Sequence, residues 1–253
     1  MTVEDPMRIL VFQHVAVEHP GIFRDLWSEG GHSMDQIELD EGDRIPDMSS
    51  YDLLVAMGGP MDVWQEAIHP WLVLEKAAIR HWVTELKRPY LGICLGHQLL
   101  AEALGGKVTT MSRPEVGIAE VELTEAGRRD SILAGFGPRV ETFQWHGAEV
   151  SVLPEGAEVL AFNEACAVQA MRWGAHAYGF QYHCEIIPTT VDEWEHIPAY
   201  KASLVEALGK EKAGKLGEVV AGRLPEFRRS AEHLNLNLLK VIQAAIEPAR
   251  NSV

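Results

Sequence analysis

The sequence predicts an α/β fold in three layers, with a mostly parallel central sheet and helices on both faces. Three observations carry that expectation. Compact apolar runs alternate with amphipathic helical stretches through the first hundred residues, and glycines punctuate the junctions. Past residue 107 the runs become short and strand-like, and past residue 190 they turn helical. The chain of 253 residues is long enough to bury a large core.

Taken in order, "RILVFQ" (8–13) is a buried first strand, and "GIFRDLWSEGG" (21–31) is a helix that stops at Gly30-Gly31. "YDLLVAMGGP" (51–60) is a strand running into a Gly-Gly-Pro break. Residues 70–87 begin with Pro70 and set Leu72, Ile79, Trp82, Val83 and Leu86 on one helical face. The strand "PYLGI" (89–93) and a helix from about Leu95 to Leu104 follow. Strand-like runs then lie at 116–124, 139–145, 157–163, 166–173 and 177–183. Beyond 190, "YKASLVEALG" and the segment from Leu224 to Ile246 read as helices, the second with Leu234, Leu238, Val241, Ile242 and Ala245 on one face. That stripe is expected to pack on the body, with a homodimer contact as the alternative.

Charge sharpens the division. The net charge is −15, yet residues 192–253 carry nine basic and nine acidic side chains, so the excess lies in residues 1–191. The sequence is therefore read as a body, 1–190, with a helical extension, 191–253, packed on it. An acidic chain lacks the basic footprint that a nucleic-acid backbone or an anionic membrane requires. Apolar runs fall short of the ~20 residues of a membrane span. The N-terminal stretch carries two acids and a proline where a signal peptide would be basic, so a cytoplasmic location is expected. The three cysteines, Cys94, Cys166 and Cys184, lack zinc-ribbon or redox-pair spacing and are expected as free thiols. His14, His19 and His32 lack metal-ligand spacing as well.

Chemistry concentrates in "YLGICLGHQLLAEALGG" (90–106). Cys94 ends a strand and opens a helix, with glycines two residues before and two after, the G-x-nucleophile-x-G spacing of a sharply turned nucleophile elbow. A thiol at a helix N-terminus sits in positive potential, and the Leu95 N–H points where an oxyanion would form. Read alone, this stretch is equally compatible with a buried structural cysteine. A nucleophilic thiol needs an imidazole and a group to orient it. Among eleven histidines, His183 in "GFQYHCEI" (179–186) stands at the end of an apolar strand, with Glu185 two residues on and on the same side. Gly58-Gly59-Pro60 closes another strand, and ligands of parallel sheets bind at such carboxyl ends.

Together "GICLGHQLLAEALGG", "MGGPMDV" and "GFQYHCE" resemble the class I (triad) glutamine amidotransferase domain, in particular stand-alone relatives of the glutaminase domain of GMP synthetase. "FQWHGAEV" (143–150) resembles the segment preceding the catalytic His in that subgroup, and the resemblance covers roughly residues 8–187. It implies a flavodoxin-like fold, Cys94 as nucleophile, His183 as general acid/base and Glu185 as the orienting carboxylate. It also implies an oxyanion hole from the backbone N–H groups of Gly59 and Leu95. Gln98 and the Trp145-His146-Gly147 loop would hold glutamine, with Glu115-Val116-Gly117 lining the site. No metal or organic cofactor is implied.

Two positions depart from the pattern: Cys184 replaces the usual Pro between His and Glu, and Ala148 replaces the Asp of GMP synthetases. No nucleotide-binding synthetase segment is recognisable. The chain is thus expected to be either a glutaminase awaiting a separate synthetase subunit or a free-standing hydrolase of γ-glutamyl amides or peptides. A non-catalytic, partner-binding relative is the alternative from another class. The cysteine-elbow peptidase and deglycase family is disfavoured because Leu95, not His, follows the cysteine.

Overall fold

A computed structural model describes residues 6–250, with side chains as far as residue 245. The first five and last three residues, which belong to the two expected segments, lie outside the described residues. The elements run β1 (Arg8–Gln13), α1 (Ile22–Glu29), β2 (Ser33–Glu38), β3 (Leu53–Ala56), α2 (Trp71–His81), β4 (Tyr90–Ile93) and α3 (Leu95–Ala103). They continue with β5 (Lys107–Leu123), α4 (Glu125–Arg129), β6 (Arg139–Val152), β7 (Ala157–Phe162), β8 (Ala170–Trp173) and β9 (Ala177–Phe180). Four helices follow: α5 (Thr190–Glu195), α6 (Pro198–Ala213), α7 (Leu216–Ala221) and α8 (Leu224–Arg250).

One nine-stranded sheet runs in the order β2-β1-β3-β4-β9-β8-β7-β5-β6. Strands β2, β1, β3, β4 and β9 pair in parallel, and the rest pair antiparallel. The α/β architecture with helices on both faces is as the sequence predicts. Alternation along the parallel strands sends side chains to opposite layers. Ile9, Val11, Leu53 and Val55 meet Phe23 and Trp27 of α1 and Leu234 and Leu238 of α8. Leu10, Phe12, Leu54 and Ala56 meet Leu72 and Ile79 of α2 and Leu99 and Leu100 of α3. The apolar stripe of α8 is therefore spent on the body, and Trp27 Nε1 donates to Asn235 across the α1–α8 contact (2.9 Å).

Helices α5 to α7 build a third core cluster, which Phe227 of α8 joins. Val191, Trp194, Tyr200, Leu204 and Leu216 pack on Val116, Phe143 and Trp145 of β5 and β6. Among the described residues no helix is long and apolar enough to cross a membrane.

Several boundaries differ from the sequence expectation. β2 was not anticipated, because "SMDQIE" carries few apolar residues; it is an edge strand held by its parallel register with β1. The helix predicted over 70–87 is α2 followed by a π-helical turn at Trp82–Leu86, closed by Lys87 at φ 52°. The 177–183 strand stops at Phe180. The Trp145-His146-Gly147 stretch, expected as a loop, lies inside β6, where His146 pairs with Glu115 next to a register shift between Thr110 and Glu115 of β5.

Candidate active site

Strands β3, β4 and β9 are neighbours, so their carboxyl ends bring Gly58-Gly59, Cys94 and the chain leading to His183 to one place. Cys94 caps α3 with φ 51° and ψ −103°, a conformation that side chains rarely adopt. The turn is held from both sides. The Cys94 N–H donates to Phe180 O (2.8 Å) and the Gly96 N–H to Met57 O (3.0 Å). A Cβ on Gly92 would stand 2.5 Å from the Gly96 carbonyl, and one on Gly96 would stand 2.0 Å from Ala56 O. Both glycines of the elbow are therefore demanded by close backbone approach.

Cys94 is buried, at 5% exposure, with the Trp145 carbonyl 3.9 Å from its sulfur and Gln181 Nε2 3.7 Å away. Burial pushes the thiol up, and the nearby charge of His183 works in the opposite direction. His183 does not stand on a strand: its N–H donates to Phe143 O (2.8 Å) in an isolated bridge. Its Nδ1 lies 2.8 Å from Glu185 Oε1. Burial works to lower the imidazole, but Glu185 and then Cys94 hold it well above its ordinary value. The ring meets Trp194 of α5 edge-on, with centroids 4.5 Å apart. Glu185 is anchored through its own backbone, whose carbonyl accepts from the Ile22 N–H at the start of α1 (2.9 Å). The close approach there requires Gly21 at φ 51°.

A cleft of about 150 Å³ opens beside the thiol, bordered by Gly59, Leu95, Gln98, Gly147, Tyr200 and Ser203. His146 also borders it, but its imidazole is turned inward, with Nδ1 3.0 Å from Ala148 O and Nε2 3.1 Å from Glu115 Oε2. Glu115 in turn accepts from Asn163 (2.6 Å) and Gln169 (2.8 Å), and so it supports His146 from behind and lines a neighbouring cavity. Gln98 spends its amide N–H₂ on Ala148 O (3.2 Å) and Gln181 Oε1 (3.1 Å), which ties α3 to the β6 segment.

Some residues around the thiol escaped the sequence reading. Glu18, buried in the loop after β1, accepts from the Tyr200 hydroxyl of α6. Burial raises its carboxyl to about 7, against the opposing pull of His183. Its position just past the carboxyl end of a parallel strand is the signal that would have flagged it. Tyr200 and Trp194 left no such mark, since an aromatic on an amphipathic helix reads as packing. Glu18, His183 and Glu185 offer ligand atoms within 4.8 Å of one another, a grouping compatible with a metal ion. Two hydrogen-bonded pairs make up this cluster, His183 Nδ1 with Glu185 and Tyr200 with Glu18, while Glu18 Oε2, His183 Nε2 and Glu185 Oε2 are buried without a hydrogen-bond partner.

Residues 27–194 match the family model for class-I glutamine amidotransferase. The chain belongs to that family. The glutamine amidotransferase-like protein YfeJ of Salmonella typhimurium is 31% identical over 220 residues, covering 85% of this chain and 90% of the relative. The glutamine-hydrolysing GMP synthase subunit of Sulfurisphaera tokodaii is 36% identical over 140 residues, covering 55% of this chain and 70% of the relative. A glutamine amidotransferase from Thermotoga maritima superposes with a TM-score of 0.82 at 28% identity, covering 94% of this chain and 99% of that one. This class-I amidotransferase is a cysteine-dependent, glutamine-hydrolysing enzyme by family.

Proposed function

We propose that Cys94 is the nucleophile, His183 its acid/base partner and Glu185 the carboxylate that orients the imidazole. The observation that supports this reading is the convergence at one sheet end: a strained cysteine on a helix N-terminus, coupled to an imidazole whose other side is held by a buried carboxylate. The thiolate attacks the side-chain amide carbon of glutamine, and the N–H groups of Gly59 and Leu95 receive the oxyanion. The C–N bond breaks as His183 passes a proton to the leaving ammonia. His183 then takes a proton from water, whose oxygen attacks the thioester and releases glutamate and the thiol. Gln98, His146 and Gly147 shape the cleft that receives the amino-acid end of the substrate. Glutaminase chemistry is assigned to residues 1–190, with 191–253 as an extension packed on that body; its helix α6 borders the cleft.

A second reading, a free-standing γ-glutamyl amide hydrolase, draws on one observation. Tyr200 and Ser203, from the helices after residue 190, border the cleft, whereas the GMP synthase relative matches only 140 residues of the chain. Purified protein, assayed alone on L-glutamine and on γ-glutamyl amides, separates the readings. Glutamate release that Cys94→Ala abolishes is the expected result, and Cys94→Ala activity equal to wild type would overturn the assignment. Low turnover of glutamine, raised on adding a separate synthetase subunit, places the chain as that synthetase's glutaminase. Faster unaided turnover of a γ-glutamyl amide makes it the free-standing hydrolase.

A further inference from the structure

His14 follows β1 directly into the end of the sheet where Cys94 sits, and its side chain is completely buried. Its Nδ1 lies 2.8 Å from the Gly58 carbonyl oxygen, and its Nε2 lies 2.9 Å from Oε1 of Glu75 on α2, which is equally buried. Trp71 stacks over the ring, with centroids 5.3 Å apart and planes 12° from parallel. The imidazole is thus held at both nitrogens and on one face. The Gly58 carbonyl can only accept, so Nδ1 carries a proton, and a proton shared between Nε2 and Glu75 closes the second contact. Burial opposes a charged ring, but Glu75, assisted by the Gly58 carbonyl and by Glu18, raises His14 above its ordinary value.

The carbonyl that His14 grips belongs to the Gly58–Gly59 peptide. A trans peptide directs its N–H opposite to its C=O, and no cis bond occurs among the described residues. Pinning Gly58 O against His14 therefore fixes the Gly59 N–H on the other side, where Gly59 borders the cleft with Cys94 and Leu95. A charged donor on the carbonyl also polarises the peptide and strengthens its N–H as a donor. We propose that the buried Glu75–His14 pair is a positioning device for the oxyanion hole, holding the Gly58–Gly59 peptide with its N–H aimed at the carbonyl under attack by Cys94. This rests on the roles of Cys94 and Gly59 proposed above.

The test compares His14→Ala, His14→Asn and Glu75→Gln with wild type by two readouts. One is kcat and KM for L-glutamine; the other is the rate of Cys94 alkylation by iodoacetamide, a displacement that forms no tetrahedral oxyanion. Deleting an oxyanion donor outright costs ~10²–10³ in kcat, so misaiming one by His14→Ala is expected to cost about 10- to 100-fold, with KM within about threefold. Alkylation stays at the wild-type rate. His14→Asn places an amide N–H near the Nδ1 position and recovers most of the loss, and Glu75→Gln falls between. Should His14→Ala not fold, Glu75→Gln preserves shape and carries the same comparison. Unchanged kcat in all variants overturns the inference. So does a parallel fall of turnover and alkylation without recovery in His14→Asn, which marks mere structural support. Failure of the functional reading is distinguishable: Cys94→Ala then equals wild type, and this inference falls with it.

Discussion

Nδ1 of His183 stands 2.8 Å from Oε1 of Glu185, while the same ring couples by charge to the thiol of Cys94. The two relationships pull together, because the carboxylate stabilises the imidazolium that a thiolate also favours. Glu185→Gln keeps the shape and removes the charge. The expected result is a fall in kcat of at least about 100-fold, by analogy with loss of the orienting carboxylate in other triads. With Glu185 gone, His183 gives up its proton more readily, so the alkaline limb of kcat/KM, where the imidazolium is lost, moves to lower pH. A pH–rate profile checks both; an unmoved limb would show that Glu185 does not face the working imidazole.

Glu18 makes stability depend on pH in a direction opposite to that of an ordinary surface carboxylate. Its carboxyl ordinarily titrates near 4.5 and is raised to about 7 in the fold. Between those values the folded state keeps a proton that the unfolded chain releases, so stability falls as pH rises through the window and stays lower above it. Glu18→Gln lacks this dependence. Its stability relative to wild type is expected to improve between pH 5 and pH 8 by up to about 3 kcal/mol. Denaturant titrations of both proteins at the two pH values measure it, and a constant difference would contradict it.

Tyr200 donates to Glu18 from α6, and that bond lowers the carboxyl against the effect of burial. Tyr200→Phe should therefore shift the Glu18 window further upward. Combined with Glu18→Gln, its stability cost should be non-additive, with a coupling of about 0.5–3 kcal/mol typical of contacting residues. Additive costs in the double-mutant cycle would mean that the two side chains do not share a bond.

Gly96 faces backbone that has nowhere to move: a methyl there would lie 2.0 Å from Ala56 O. Gly96→Ala is expected to destabilise by about 3 kcal/mol or more and to lower turnover with it. Gly147 is the contrasting case, with nothing within 4 Å of an added Cβ. Gly147→Ala should leave stability within about 0.5 kcal/mol of wild type, so any effect would appear in KM. Similar unfolding curves for the two variants would refute the account of the elbow.

The parallel half of the sheet was legible because β1, β3 and β4 are buried on both faces, and such strands read as continuous apolar runs. The elbow was legible because its G-x-Cys-x-G spacing is local, although Gly96 answers to Ala56 on a neighbouring strand. β2 was not, since an edge strand takes its pairing from a neighbour rather than from its own hydrophobicity. The length of β5 and β6 was missed for a related reason: polar residues such as Thr109 and Glu149 pair across the ladder, and no local pattern records a partner some forty residues away. At the site, His183 and Glu185 were found by spacing, although the extended strand expected beneath them ends at Phe180. His14, Glu18 and Glu75 were invisible as a group, because long-range packing alone brings a loop, a helix and the Gly58 peptide together.

Trp194 meets His183 edge-on while its own Nε1 donates to Val17 O (3.2 Å). One indole thus joins the late helices, the histidine beside Cys94 and the loop after the first strand. A shortened chain ending near residue 190 would lack that indole and Tyr200 together, and the faces of Phe143 and Trp145 that they cover would open to water. Chimeras and minimal versions should therefore keep the helices through α7, and α8 as well, because Phe227 closes the same cluster.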